Sequence, residues 1–207
     1  MNAVIRNMSI LAVGALVLTG CGADDSSKNP PSPRASEPAH ATAYRAGYVT
    51  GKSVYDSGGK GTAVRETVWG GCTRRALDAG ASAESDRGAW VQGCLDGVAA
   101  RPQHLPTATV TKREENAELL KSFRTWASRN GAQDEAKHTS RLVTVQLTEN
   151  DFDIELSTDY NGKSQQQPEL LAQHFVKWWD SDSGGDGTAR NILILEAAGK
   201  RIVAKRI

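Results

Sequence analysis

The side chains that could do chemistry in this chain are four histidines, a run of strand carboxylates and one Asp- and Gly-rich loop. A hydrolase would need one of these histidines beside a carboxylate, within reach of a nucleophile. His40 lies in a Pro-rich segment, His104 in a Pro-flanked connection and His138 just before a strand-like stretch. His174 shares an apolar helical face with Leu171, Phe175 and Trp178, the position of a core histidine. No Gly-x-Ser-x-Gly or HExxH pattern accompanies any of them. Asp151, Asp153 and Glu155 alternate with Phe152, Ile154 and Leu156, so the acidic face, with Asp159 beyond it, is expected to meet solvent. We therefore assign no catalytic residue and no cofactor. An enzyme is the alternative only if His138 or His174 meets a carboxylate in a cleft.

The loop Asp180–Gly187 places Asp180, Asp182 and Asp186 in an order that partly matches a calcium loop. It departs from one at its fifth position, where Gly184 offers no oxygen, and at its twelfth, where Asn191 replaces a bidentate Glu. It is a weak calcium candidate and otherwise a connection between helix and strand. Ala46–Ser53 fits a relaxed P-loop pattern, but it follows a disordered-type segment instead of a strand and carries a helical stripe. No nucleotide site is expected. Gly47 and Gly51, one turn apart, read instead as a groove for a closely approaching helix.

Tryptophan offers a more usable signal. Trp69-Gly70-Gly71-Cys72 and Trp90-Val91-Gln92-Gly93-Cys94 each place Trp ahead of Gly-Cys, the pattern of two rings packed beside paired cysteines or of an aromatic platform. In Trp178-Trp179, neighbours about 100° apart on a helix cannot both face a core. Trp179, with Trp178 beside it, is the candidate partner-contact surface, because exposed aromatics are enriched at binding hot spots; the alternative is that Trp179 packs against the helical unit or the Gly-rich loop. The basic pairs Lys200-Arg201 and Lys205-Arg206 could meet anionic polymers or simply solvate an edge strand.

At the N-terminus, Arg6 precedes the apolar run Ile10–Leu18, which is far shorter than the roughly 20 residues of a spanning helix. It ends in Leu18-Thr19-Gly20-Cys21, which resembles the lipobox of bacterial lipoproteins. That resemblance implies cleavage before Cys21, acylation of Cys21 (palmitate included) and a membrane anchor on the extracytoplasmic face of the cell envelope. Two or three acyl chains hold a protein stably where one does not. With Cys21 lipidated, Cys72 and Cys94 are left to pair in an oxidising compartment, and a bridge between them would contribute about 3 kcal/mol. The low aromatic content, with many Ala and Gly residues, resembles proteins of high-GC Gram-positive bacteria. A net charge of +1 argues against nucleic acid as a partner. The expected partners are the membrane, through Cys21, and an envelope protein or glycan. The function expected is that of an envelope binding module, with a cell-wall enzyme or a structural or regulatory spacer as alternatives.

These residues must be positioned by four segments. Residues 1–20 form the signal peptide and 21–42, rich in Pro, Ser and charge, a disordered linker. Residues 43–106 predict a small three-helix unit stapled by Cys72 and Cys94, with Tyr44, Gly51 and Tyr55 on the first helix. Val64, Val68, Cys72 and Ala76 stripe the second, and Ser85 or Asp86 caps the third. Residues 107–207 predict an αββαββ unit, a four-stranded antiparallel sheet with two helices on one face. Its first helix would start at a Thr111–Glu114 capping box. Its first hairpin turns at Glu149-Asn150-Asp151. The fold class expected is α+β.

Overall fold

The computed structural model describes residues 37–161, 166–181, 184, 185 and 187–207. The expected signal peptide, Cys21 and most of the expected linker lie outside the described residues.

The chain is an α+β protein in which helices cover both faces of one sheet. The helical layer comprises α1 (Ala39–Val68), α2 (Gly71–Asp78), the single turn α3 (Ala81–Glu84) and α4 (Arg87–Val98). Then follow β1 (Lys112–Glu115), α5 (Ala117–Arg129), the short α6 (Gln133–Ala136), β2 (Thr139–Gln146), β3 (Asp151–Thr158), α7 (Gln166–Trp179), β4 (Thr188–Leu195) and β5 (Arg201–Arg206). Ala39–Thr42, His40 among them, were expected in the linker but belong to the first turn of α1. Gly58-Gly59 kinks α1 instead of ending it: Gly59 takes φ 61° and the helix resumes. The expected second helix is divided between the end of α1 and α2, broken at Trp69-Gly70.

The two long helices α1 and α4 meet through reciprocal glycines. A Cβ on Gly47 would fall on the Trp90 carbonyl and one on Gly51 on that of Cys94, while Gly93 and Gly97 press against the carbonyls of Tyr44 and Tyr48. The close approach expected at Gly47 and Gly51 is observed, and its partner is α4. Residues 46–53 are helical throughout, so this stretch does not wrap phosphates as a P-loop does. Cys72 and Cys94 are bridged and wholly buried, tying α2 to α4.

The sheet has five strands in the order β1-β2-β3-β4-β5, not four. Lys112–Glu115 does not open a helix; it adds β1 antiparallel to β2, with Arg113 opposite Val145. The Thr111 hydroxyl is already committed to Asp86, and the helix cap falls instead on Asn116, whose side chain accepts from the Leu119 amide at 2.9 Å. The all-antiparallel expectation fails at the centre. β3 and β4 run parallel, because α7 carries the chain back along the sheet and returns it beside β3 in the same direction.

On one face, Leu142, Ile154, Leu156, Ile192 and Ile194 pack under Phe123 of α5 and Leu171, Phe175 and Trp178 of α7. This is the expected pair of helices on one face. On the other, Val143, Val145 and Leu147 pack against Val91, Cys94 and their neighbours in the helical layer. Leu193 is buried on that side too, which is why β4 reads as apolar on both faces.

Candidate functional site

The acidic face of β3, expected to meet solvent, is turned inward at its centre. Asp153 and Glu155 point toward the helical layer and are buried, Asp153 completely. Arg87, at the first turn of α4, donates to Asp153 at 3.2 Å and to Glu155 at 3.4 Å, and Asn191 donates to Asp153 at 2.8 Å. Arg113 from β1 closes on the outer oxygen of Glu155. Burial pushes the Asp153 carboxyl up to about 6, and the bonds from Asn191 and Arg87 only partly offset it. This network joins α4 to the sheet, with Asp153 at its buried end while Arg87, Arg113 and Glu155 line a cleft of about 460 Å³.

The histidines divide. His138 Nδ1 lies 2.7 Å from the Asp159 carboxylate, and its ring packs on Tyr160 at 4.7 Å. His174 Nδ1 lies 3.7 Å from Glu135 without forming a hydrogen bond. His104 sits in the connection after α4, its amide donating to the Tyr44 hydroxyl. A carboxylate therefore does stand beside His138, at the rim of the sheet where β2 begins and β3 ends.

Trp178 is fully buried between Phe123 and Phe175, which removes it from any contact surface. Trp179 is half-buried, stacked on Phe175, edge-on to Phe152 and covered by Gly185. It packs against its own loop. Of the calcium candidates, Asp180 is exposed, while Asp182 and Asp186 lie outside the described residues. Among the described residues, the ligand-type atoms that gather within 4.8 Å of one another belong to Glu66, Cys72 and Cys94. The two sulfurs are bonded to each other and so are not thiolate ligands.

The aromatic that the structure does present is Trp69. The two Trp-Gly-Cys segments part company here: Trp90 is buried beside the disulfide, whereas Trp69 is 61% exposed. Trp69 caps the end of α1, and Gly70, in the left-handed region at φ 67°, turns the chain into α2. The carbonyls freed at the helix end are taken by the sheet. Arg190 of β4 donates to the Val68 carbonyl at 3.3 Å, and Arg206 of β5 donates to that of Trp69 at 2.6 Å. The backbone is held from both sides while the ring stands out.

Below Trp69 is a cleft of about 320 Å³, lined by Arg65, Glu66, Arg74, Arg75, Arg190 and Arg206 among others. Two of its arginines are neutralised. Arg75 makes a bidentate pair with buried Glu66 at 3.0 Å, and Arg190 pairs with Asp151 at 2.9 Å. Asp78 lies on the same rim near Arg75. Arg65, Arg74 and Arg206 form no ion pair among the described residues, so with Asp78 the one unpaired carboxylate on that rim the cleft keeps an excess of guanidinium groups beside an exposed indole. Such groups recognise phosphate and carboxylate oxygens in pairs and stack on flat apolar faces.

Sequence periodicity missed this site because Val64, Val68 and Cys72 look like one helical stripe. The break at Trp69-Gly70 resets the helical phase, so Cys72 turns inward while Val64 and Val68 stay outside. The Gly-Gly pair at 70 and 71 was the available signal. Compared with known proteins, the chain matches no family model, no curated sequence and no solved structure.

Proposed function

We propose that this protein is a lipid-anchored, extracytoplasmic binding module of the bacterial cell envelope, held by acylated Cys21 and making contact through the Trp69 cleft. The observation that carries the reading is the display of Trp69 beside Arg65, Arg74 and Arg206, which form no ion pair among the described residues. Exposing an indole forgoes about 2 kcal/mol of burial, which favours a surface that is covered in use. The buried Cys72–Cys94 bridge supports an oxidising location, and the lipobox-like residues support the anchor. An anionic group of an envelope component fits the cleft best.

The anchor is tested by metabolic lipid labelling. The wild-type chain should take up label and fractionate with membranes, whereas Cys21→Ala should accumulate as an unlabelled precursor. Equal labelling of the two would remove the anchor from the proposal. The cell-wall enzyme reading has one supporting observation, the pair His138 and Asp159 at 2.7 Å. Release of cell-wall fragments by the wild type and not by His138→Ala would favour it.

A further inference from the structure

We infer that the Trp69 face docks onto the anionic leaflet of the membrane that carries the lipid anchor, so that the folded body is attached at two points. The inference rests on the lipoprotein reading and names the occupant of its cleft. Its first ground is the pairing of apolar and basic groups. Val64 and Val68, one helical turn apart, are 54% and 62% exposed, and Trp69 is exposed on the next face round, beyond Arg65. At about 100° per residue, Val64 and Val68 point opposite to buried Glu66, with exposed Lys60 on one side and Arg65 on the other. The outer arc of α1 after the Gly59 kink thus runs from Lys60 through Val64 and Val68 to Arg65 and then Trp69, with Arg74 and Arg206 in the cleft beyond Trp69, on the side of Glu66. A soluble glycan would account for the arginines but leaves Val64 and Val68 idle. A phospholipid surface uses both, taking apolar tips and tryptophan into the interface and phosphates onto the guanidinium groups.

The second ground is reach. The stretch from Gly22 to Ser36 can extend to at most about 50 Å. A straight helix as long as α1 would span about 45 Å. A body tethered before Ala39 can therefore lay the far end of α1 on the same bilayer. Tethering also turns a weak contact into an intramolecular one, so a small patch suffices.

The test uses the full protein, purified with its lipid and reconstituted into vesicles whose acyl chains carry bromine near the head groups. Tryptophan quenching is compared between phosphatidylcholine vesicles and vesicles containing phosphatidylglycerol. Quenching in the anionic vesicles is expected to exceed that in the neutral ones. The excess should be lost in Trp69→Phe, reduced in Arg74→Gln and in Val64→Ser/Val68→Ser, and weakened by salt as the screening length falls from about 10 Å at 0.1 M to about 3 Å at 1 M. All four positions are exposed, so these variants leave the core intact. Equal quenching of wild type and Trp69→Phe overturns the inference. So does loss of the Trp69 signal on adding a soluble phosphate polymer with no vesicle effect, which would make the occupant a free polyanion. Mass analysis of Cys21 in the same preparation separates the two levels. Acylated protein without Trp69 quenching sinks only the docking, and absence of the acyl group sinks the anchor and the docking together.

Discussion

Asp86 does the work of several residues. Its carboxylate accepts from the Ala89 amide as the N-cap of α4, and from the Val110 and Thr111 amides and the Thr111 hydroxyl of the segment entering β1. Burial pushes its acidity the wrong way, but the four bonds together outweigh this and hold it below the usual carboxylate range. Its stabilisation is therefore present above the unfolded value near 3.8 and is lost as pH falls through the lower folded value. Asp86→Ala should cost about 2–4 kcal/mol in urea unfolding, combining a lost cap with unpaired amides. A loss below 1 kcal/mol would mean that water replaces these bonds. Asp153 has the opposite sign. With its folded value raised to about 6 against 3.8 unfolded, its contribution is complete below 3.8 and lost as pH rises through 6, a swing of about 3 kcal/mol. Thermal unfolding followed from pH 4 to pH 8 should show this slope in the wild type and a flatter one in Asp153→Asn.

At the scale of elements, the contact between α1 and α4 rests on the absence of side chains. Adding a methyl group at Gly47 puts it on a backbone carbonyl that cannot rotate away, so the helices must separate. Gly47→Ala should lower stability by about 3 kcal/mol despite the better helix propensity of alanine. Gly61, further along α1, has open space around its Cβ position, and Gly61→Ala should raise stability by about 0.5–1 kcal/mol. The same pair of chemical denaturation curves checks both, and a shared direction would refute the packing argument. The disulfide works beside this contact, closing a loop of sequence separation 22 and holding α2 to α4.

On the scale of the whole molecule, the helical layer and the sheet form one body. Glu37–Ile207 is a single compact unit. Arg87 reaches into the sheet, and from the other side Arg201 and Arg206 of β5 grip the carbonyls of Leu77 and Trp69, at the two ends of α2. Neither part has a complete surface without the other, since removing the helices would strip the cover from Val143, Val145 and Asp153. Calorimetry should therefore show one transition with equal calorimetric and van't Hoff enthalpies. Two separable transitions would restore the picture of independent units.

Local features of the fold were legible wherever a short stretch of chain carries its own physics. The first hairpin with its alternation, a cap at Ser85 or Asp86, the glycine groove of α1 and the pairing of Cys72 with Cys94 could all be read from residue types and spacing. What depends on a distant partner could not. The acidic face of β3 looks solvated until Arg87, 66 residues away, is laid over it. Lys112–Glu115 reads as a helix start until the free edge of β2 offers it backbone partners, and β3 and β4 read as antiparallel until α7 returns the chain in the same direction. The same holds for the candidate site. Val64, Val68 and Trp69 have the composition of a core, and only the break at Gly70 together with the grip of Arg190 and Arg206 turns them outward. Periodicity records which residues share a face, whereas tertiary contacts decide what that face meets.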